Sequence, residues 1–299
     1  MADVETFVAM RPTLFGVAYR MLGAASEAED VLQEAYVRWA AVEGHTVENA
    51  AAYLTAVVTR LCIDQLRSAR SRREVYTGPW LPEPVELGAP GPDHSAELAD
   101  SLSLAFLVLL EELKPVERAA FLLHDVFDYP YDEIAGIIDR TPPACRQLVS
   151  RARRRVGTPR RRYDADTTRR RELTRRFVTA CGTGDMDGLL AMLAEDVVVL
   201  TDGGGQVRAA VRPVRGPRRA ARFLVSVSRR LGDGLTGREV ELNGQSGLIL
   251  EEADGRVVVA LVVDGDGDTV STVCVVTNPD KLVALQSPQR AQLSWLLSP

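Results

Sequence analysis

Arginine and amide side chains are concentrated in a short stretch near the middle of this 299-residue chain. Between residues 142 and 156, apolar residues recur at three- and four-residue spacing and predict an amphipathic helix with a polar outer face. Arginine suits phosphate or the O6/N7 edge of guanine, and glutamine suits the N6/N7 edge of adenine. The pattern therefore indicates a helix that contacts DNA. The side chains predicted to face outward and bind DNA are Arg146, Gln147, Ser150, Arg151, Arg153 and Arg154.

A shorter predicted helix, residues 131–138, precedes this one and carries its isoleucines on one stripe. Asp139 and Arg140 form a tight connection, Thr141 can cap the second helix, and Pro142 suits its first turn. Two helices joined in this way match the helix-turn-helix, whose second helix enters the major groove. A helical hairpin with a solvated basic face would show the same spacing, and the density of arginine favours DNA binding.

Charge is distributed unevenly along the chain, whose formal net charge is −5. Residues 1–139 hold 10 basic and 23 acidic residues, whereas residues 140–176 hold 14 arginines and three acidic residues. A basic block binds phosphates by counterion release. The acidic first half indicates a second partner that is itself basic.

Composition argues against several other classes of protein. The sequence contains no run of about twenty apolar residues, and its N-terminus lacks the pattern of a signal peptide, so we expect a cytoplasmic protein. The four cysteines are isolated from one another and from histidine. We therefore predict buried thiols, no disulfide framework, no metal site and no cofactor.

Residues 5–73 are predicted to be all-helical. Ser26 and Glu29 have the spacing of a capping box that starts the second helix, and a long helix runs from residue 50 to about residue 73. The stretch 74–96 is rich in proline and glycine and is predicted to be a linker. Trp80 and Leu81 within it indicate either a segment that docks on a surface or a spacer with one apolar anchor.

The hydrophobic period changes after about residue 169. Two helices are followed by strand-like runs, with another helix, residues 217–231, among them. The strand-like runs include residues 206–214, 237–252 and 268–285. This order predicts an α+β domain with a curled antiparallel sheet. Such a sheet could enclose a pocket for a small ligand of unknown identity.

The first half of the chain resembles the extracytoplasmic-function (ECF) sigma factors of bacterial RNA polymerase. SEAEDVLQEAYVRWA and YLTAVVTRLCIDQLRSARSRR are similar to their domain 2, and residues 117–156 are similar to their domain 4. The C-terminal half resembles the SnoaL-like (NTF2-fold) extension of the SigJ-type subgroup, with WLPEP at 80–84, DGGG at 202–205 and NPDKL at 278–282. The subgroup's DGGGK pattern has Gln206 at its last position here.

The resemblance implies four regions and two all-α domains followed by an α+β domain. These are sigma domain 2 at 1–73, the linker at 74–96, sigma domain 4 at 97–160 and the SnoaL-like domain at 165–299. Domain 2 is expected to bind core RNA polymerase and the −10 element, and domain 4 the −35 element of a promoter. The residues implied for polymerase docking are Asp30, Gln33 and Glu34, and those for the −10 strand are His45, Asn49, Tyr53, Arg60 and Arg67.

Each of these roles has a simpler alternative in the residues themselves. The acidic face of the second helix could be merely solvated, Tyr53 could pack in the core, and His45 could be a solvated loop residue. Asp202 beside three glycines is typical of a turn, as is the NPDKL stretch. We nevertheless predict intramolecular regulatory contacts among Trp80, Leu81, Pro82, Asp202, Gly203, Gly204, Asn278, Pro279, Asp280 and Lys281.

Three functions remain open at the level of sequence. The favoured one is an alternative sigma factor that directs promoter-specific initiation and is modulated in cis by its C-terminal domain. A helix-turn-helix regulator acting without polymerase is the first alternative. A cyclase- or isomerase-like enzyme is the second, and it is disfavoured because no histidine or tyrosine follows Tyr163, which leaves only carboxylates such as Asp202 to act as base.

Overall fold

The computed structural model describes residues 4–42, 47, 49–73, 76–86, 102–156, 167–232 and 234–286. Up to residue 156 the described chain is helical apart from short connections and the extended linker segment, as the spacing of its apolar residues predicts. The helices are α1 (Val4–Leu22), α2 (Ala25–Ala40), α3 (Ala50–Arg73), α4 (Leu104–Leu110), α5 (Pro115–Asp125), α6 (Tyr131–Ile138) and α7 (Pro142–Val156).

One continuous apolar core joins the helices before the linker to those after it. Leu14 of α1 and Leu54 of α3 are fully buried in the same cluster as Phe121 of α5 and Val149 of α7. Helix α3 packs against both α5 and α6, and α1 packs against α5. The two helical halves are therefore in direct contact.

The predicted capping box at the start of α2 is wrong. The helix begins at Ala25, its N-cap residue Ala24 provides no side-chain hydrogen bond, and Glu29 instead pairs with Arg11 at 2.6 Å. The carboxylate of Glu83, in the linker, accepts the amide hydrogens of Ala25 at 2.8 Å and Ser26 at 3.3 Å. A distant acidic side chain thus fills the place that a local one was expected to fill.

The connection between α6 and α7 forms as predicted. Asp139 adopts a left-handed conformation at φ 53°, and the Arg140 amide bonds the carbonyl of Ala135 at 3.0 Å. Thr141 Oγ1 then accepts the amide of Ala144 at 3.4 Å, which caps α7, and Pro142 is its first residue. The local sequence is sufficient to fix this turn because every partner lies within five residues.

The C-terminal part is α+β, which confirms the predicted class. Its six strands form one sheet in the order β2-β1-β6-β5-β4-β3. The elements are α8 (Thr167–Thr183), α9 (Met186–Met192), β1 (Leu193–Asp202), β2 (Val214–Arg215), α10 (Pro217–Leu231), β3 (Thr236–Leu242), β4 (Gln245–Glu251), β5 (Val257–Asp266), β6 (Thr269–Val276) and α11 (Pro279–Gln286).

The sheet is mixed, so the expectation of an antiparallel sheet was only partly right. Strands β3 to β6 follow one another through short turns and are antiparallel. Strand β1 pairs with β6 in parallel. Short turns force neighbouring strands to be antiparallel. No such turn links β1 to β6, because α10 and four strands lie between them in the chain.

Three strand-like runs in the sequence are interrupted in the structure. Residues 206–213 form turns and irregular backbone because Pro213 cannot donate to a ladder and the Ala210 amide bonds Thr201 Oγ1 instead. The run at 237–252 breaks at Asn243-Gly244, where both residues have positive φ and β3 turns into β4. The last run ends at Val276, after which the NPDKL residues begin α11 rather than precede a strand.

The two faces of the sheet have different covers. Phe177 of α8 and Leu224 of α10 lie in the core on one face. Leu81 of the linker, Leu104 of α4 and Leu282 of α11 lie in a separate, smaller core on the other face. The linker and the second helical half are therefore packed directly on the sheet. Among the described residues no helix has the length and apolar character to cross a membrane.

Candidate DNA-binding and domain-linking sites

The outer face of α7 carries the predicted DNA-binding side chains. Cys145, Val149 and Ala152 are buried and hold the helix against the core. The Arg146 guanidinium lies over the Tyr131 ring, 5.7 Å from its centroid. The six predicted residues are all exposed on the opposite side, namely Arg146, Gln147, Ser150, Arg151, Arg153 and Arg154.

Not all arginines of α7 are equivalent. Arg153 donates to both oxygens of the buried Asp125 carboxylate at 2.8 Å, and Arg155 pairs with Glu117 at 2.8 Å. The hydrogen bond to Asp125 raises the pKa of Arg153. These two pairs fasten α7 to α5, so Arg153 has a structural partner besides its predicted phosphate.

The residues predicted for the −10 strand are spread over the start and middle of α3. Asn49 Oδ1 accepts the amide of Ala52 at 3.0 Å and so caps the helix. Tyr53 is half-buried against Trp39, with ring centroids 5.9 Å apart, as the core-packing alternative expected. Arg67 is exposed beside Asp64. His45 lies outside the described residues.

Arg60 makes contacts that the sequence did not suggest. Its Nε donates to the carbonyl of Ile137 at 2.9 Å and its Nη2 to the carbonyl of Gly136 at 2.8 Å. Both acceptors are at the C-terminal end of α6, where helix carbonyls lack intrahelical partners and carry partial negative charge. The guanidinium predicted to hold promoter phosphates therefore binds the first helix of the helix-turn-helix in this state.

The predicted polymerase-docking residues lie together on the exposed side of α2. Asp30, Gln33 and Glu34 are all exposed, and Glu34 pairs with Arg38 at 2.9 Å. An apolar residue that the sequence did not single out, Val37, lies one turn further along α2 and is 63% exposed. The combined surface is acidic with an apolar edge, which suits a basic partner that also buries apolar area.

Asp202 is the centre of a buried polar cluster that unites the three short motifs. The residue is 1% exposed. Its carboxylate pairs with Lys281 of NPDKL at 2.8 Å and accepts the amide of Leu81 of WLPEP at 2.9 Å. It also accepts the Gly204 amide at 3.0 Å and the Tyr76 hydroxyl hydrogen. Burial and this hydrogen bond raise the pKa of Tyr76.

Lys281 binds the linker as well as Asp202. Its ammonium donates to the Leu81 carbonyl and lies 4.0 Å from the centroid of the Trp80 ring. Trp80 in turn packs on Gly23, at the end of α1, so closely that a Cβ there would meet the ring at 2.6 Å. One cation of the C-terminal domain is thus connected through the linker to the first helical half.

The glycines after Asp202 allow this close packing. Gly204 has φ +63°, and a Cβ on it would meet the Asn278 side chain at about 2.5 Å. A Cβ on Gly203 would meet the Val207 carbonyl oxygen at 2.1 Å. Gln206, where the resembling subgroup has lysine, donates to Asp280 at 2.7 Å and so links the turn to α11 without a charge.

Asn243 is a second buried junction, which sequence reasoning missed. It is fully buried, and its Nδ2 donates to the Tyr19 hydroxyl at 2.6 Å and to the Leu102 carbonyl at 3.1 Å. Its Oδ1 accepts the amide of Val85 at 3.0 Å. The only signal in the sequence was the Asn-Gly dipeptide, which is typical of a hairpin turn. Together, residues 76–86 and their partners Asp202, Asn243 and Lys281 form what we call the linker seam.

Comparison with known proteins identifies the helical half. Residues 6–72 match the family described as Sigma-70 region 2, and residues 103–156 match Sigma-70, region 4. The ECF RNA polymerase sigma factor SigJ of Mycobacterium tuberculosis is 37% identical over 96% of each chain. The chain belongs to the ECF family of RNA polymerase sigma factors. It is therefore an alternative sigma factor that directs transcription initiation, and proteins of this family bind core polymerase and promoter DNA.

Solved structures extend the match through the C-terminal part. The crystal structure of M. tuberculosis SigJ superposes on this sigma factor with a TM-score of 0.76 and 34% identity, covering 96% of this chain and 99% of that one. The probable ECF sigma factor SigI of M. tuberculosis is 36% identical over 62% of this chain and 64% of its own. The mixed sheet with its helices has the NTF2-like fold predicted for the extension.

Proposed function

We propose that the C-terminal domain of this sigma factor restrains the promoter-binding helices in cis through the linker seam. The buried ion pair between Asp202 and Lys281 carries this proposal. Asp202 and Lys281 bind the linker as well as each other, because Asp202 accepts hydrogen bonds from Tyr76 and Leu81 and Lys281 donates to the Leu81 carbonyl. Buried charges are costly unless they are paired and hydrogen-bonded, so these contacts favour the docked linker. Docking of residues 76–86 and closure of the C-terminal domain are therefore coupled.

The closed packing of the two helical halves supports restraint rather than activation. Arg60 donates to α6 carbonyls, and Arg118 of α5, which is 3% exposed, donates to the Met21 carbonyl of α1 at 2.6 Å. In this packing Arg60 directs two of its donors to α6 carbonyls rather than to a phosphate. Release of the linker would allow the halves to separate and contact the −10 and −35 elements together.

We infer the following roles for the exposed residues. Arg146, Gln147, Ser150 and Arg151 contact base edges and nearby phosphates of the −35 element, while Arg154 holds phosphates. Asn49, Tyr53 and Arg67 approach the −10 strand once the halves separate. Asp30, Gln33 and Glu34, with the apolar edge at Val37, dock on core polymerase. All of this takes place in the cytoplasm, where the polymerase acts.

We propose no catalytic role for the C-terminal domain. Asp202 is the carboxylate named above as an example of a possible base. It is buried and already accepts hydrogen bonds from Tyr76, Leu81, Gly204 and Lys281. A general base must reach a substrate proton, and both oxygens of this carboxylate already accept hydrogen bonds within the protein.

The seam is tested by Lys281→Met, which keeps the length of the side chain but removes its charge. Removing one partner of a buried pair costs about 3–5 kcal/mol, so the docked population should fall by more than about 100-fold relative to the undocked one. The measurements are protease cleavage within residues 76–86 and transcription by reconstituted holoenzyme from a promoter selected out of random DNA. Both should increase. Val283→Ala, at an exposed position of the same helix, is the control.

Unchanged cleavage and unchanged transcription in Lys281→Met would contradict the restraint. The same assay tests α7, because Arg146→Ala should lower promoter-directed transcription while binding to core polymerase is kept. Equal loss of both activities in Arg146→Ala would indicate misfolding and remove the support for its DNA-binding role. Arg256→Ala, an exposed arginine paired with Glu252 in the C-terminal domain, is the control for loss of one positive charge.

A further inference from the structure

A second arginine-rich surface lies on the C-terminal domain, and the sigma-factor assignment does not use it. Residues 203–232 contain eight arginines and no acidic residue, although an even spread of the chain's 41 acidic residues would place about four there. All eight side chains are exposed. They are Arg208, Arg212 and Arg215 before α10, and Arg218, Arg219, Arg222, Arg229 and Arg230 on α10 itself, whose five arginines we call the α10 arginine face.

Helix α10 presents these five arginines on one side because its other side is in the core. Ala220, Ala221, Leu224 and Val225 are buried against β1, α8 and α9. At 100° per residue the five arginines fall within an arc of about 120°, and at 1.5 Å per residue they extend over about 18 Å. Each DNA strand carries a charge about every 3.4 Å along the axis, so a face of this length lies opposite about five phosphates of one strand.

Ion pairing distinguishes this surface from the rest of its domain. Arg175 pairs with Glu239, and Arg256 with Glu252. Within the described ranges no ion pair involves any of the eight arginines between 208 and 230. Neighbouring positive charges without counter-charges do not stabilise a fold. Folding of the domain therefore does not account for this surface, whereas an anionic ligand does.

The α10 arginine face resembles the outer face of α7 in the residue types that line it. An open surface region of about 430 Å³ beside α10 is lined by Met186, Arg222, Val225, Ser226, Arg229 and Arg230. The corresponding region on α7, of about 360 Å³, is likewise lined by arginines around one serine. Arg230 donates to the hydroxyl and carbonyl of Ser226, which holds its guanidinium along the region beside α10.

We propose that the α10 arginine face binds the phosphate backbone of duplex DNA, as a third DNA contact besides those of the two sigma domains. Guanidinium groups spread over one face of a helix suit phosphate oxygens. No asparagine or glutamine lies on α10, and we assign its arginines to phosphates, a contact that positions DNA without reading its sequence. The apolar side of α10 is committed to the core and cannot enter a bilayer, which disfavours a membrane surface. The chain already approaches DNA through α7.

The test is the triple variant Arg218→Gln, Arg222→Gln, Arg229→Gln in the full chain, bound to a random-sequence duplex and to promoter DNA over a range of salt. Loss of three phosphate contacts should reduce the slope of log K against log[salt] by about 2 to 3. The matched control is Arg175→Gln, Arg176→Gln, Arg256→Gln, which changes net charge equally but removes paired arginines. The control should leave the slope nearly unchanged.

Three results would overturn the proposal. An equal decrease in the slope of log K against log[salt] in the α10 triple variant and in the control triple would mean that only net charge matters. An unchanged slope in the α10 triple variant would mean that α10 does not touch DNA. Unchanged DNA binding with lost binding to core polymerase or to anionic vesicles would assign the face to an acidic protein or to a membrane. The triple Arg→Lys variant at the same positions should keep DNA binding and a native circular dichroism spectrum. A loss of DNA binding in this folded variant would also contradict a backbone contact.

Discussion

The two faces of the six-stranded sheet are closed in different ways. Helices α8, α9 and α10 of the same domain cover one face, and residues such as Phe177 and Val273 form its apolar core. The other face is covered by Leu81 and Leu104 from outside the domain as well as by α11. Buried polar groups surround this second, smaller core, with Asp202 at one end and Asn243 at the other.

The difference indicates which face can open. Apolar burial is non-directional and tolerates small movements, so the α8–α10 face should stay closed while the domain is folded. Buried hydrogen bonds and ion pairs are costly when one partner is left alone. They make the linker seam an arrangement with two states, fully docked or released to water, and few intermediates.

Phe177→Ala tests whether the two faces of the sheet are independent, and it has the largest expected effect. The side chain is fully buried under α8, and removing it should cost about 3–5 kcal/mol of the free energy of unfolding of the C-terminal domain. Chemical denaturation followed by circular dichroism should show an earlier loss of the sheet. Below that transition, protease cleavage of residues 76–86 should be unchanged. Increased cleavage without denaturant would show that the two faces are not independent, and Thr179→Ala, exposed on α8, is the control.

A smaller effect is expected for Asn243→Ala on the opposite face. This change removes the Asn243 partner of the Val85 amide and of the Leu102 carbonyl, at a cost of about 1–3 kcal/mol. The Tyr19 hydroxyl keeps its bond to the Glu83 carbonyl, and alanine is placed at φ 54°. Asn243→Gly removes the same hydrogen bonds but accepts the left-handed backbone. Both variants should increase linker cleavage, alanine more than glycine. If the glycine variant is cleaved like the unaltered protein, the amide contributes only turn geometry.

Sequence reasoning succeeded where the determining contacts are local. The face of α7 follows from apolar spacing over fifteen residues, and Thr141 caps the helix by reaching three residues ahead. Gly203 and Gly204 were correctly placed at a turn, because glycine accepts backbone conformations that other residues rarely adopt. The apolar anchor in the linker and the family resemblance both led us to expect contacts among the linker motif and the two C-terminal motifs, and the structure brings all three to Asp202.

Contacts between distant residues could not be predicted in the same way. Asn243 and Tyr19 are 224 positions apart, and Arg60 lies 77 positions before its acceptor Ile137. Ser26 had a suitable local partner in Glu29, yet Glu83, 57 positions later, took its place. No periodicity encodes these pairings, because they depend on how whole elements pack.

Glu83 gives the smallest and most specific prediction, a dependence of linker docking on pH. Burial raises the pKa of its carboxyl, although the amides of Ala25 and Ser26 and the charge of Lys281 lower it in part. The docked state then binds more protons than the undocked state between the two pKa values of this group. Docking should therefore be strongest below the undocked pKa and should weaken as pH rises through the docked pKa.

Glu83→Gln should remove this pH dependence, because an amide has no charge to desolvate. The measurement is linker cleavage by a protease active from pH 4 to 8, normalised to an unstructured peptide of the same sequence. Glu241→Gln is the matched control, since burial also raises the pKa of Glu241, while the charge that lowers it in part is that of Arg171 on α8. If the pH dependence is lost in Glu241→Gln, or persists in Glu83→Gln, the group whose titration controls docking is not Glu83. A pH dependence lost only in Glu83→Gln would mean that the linker undocks as Glu83 loses its proton.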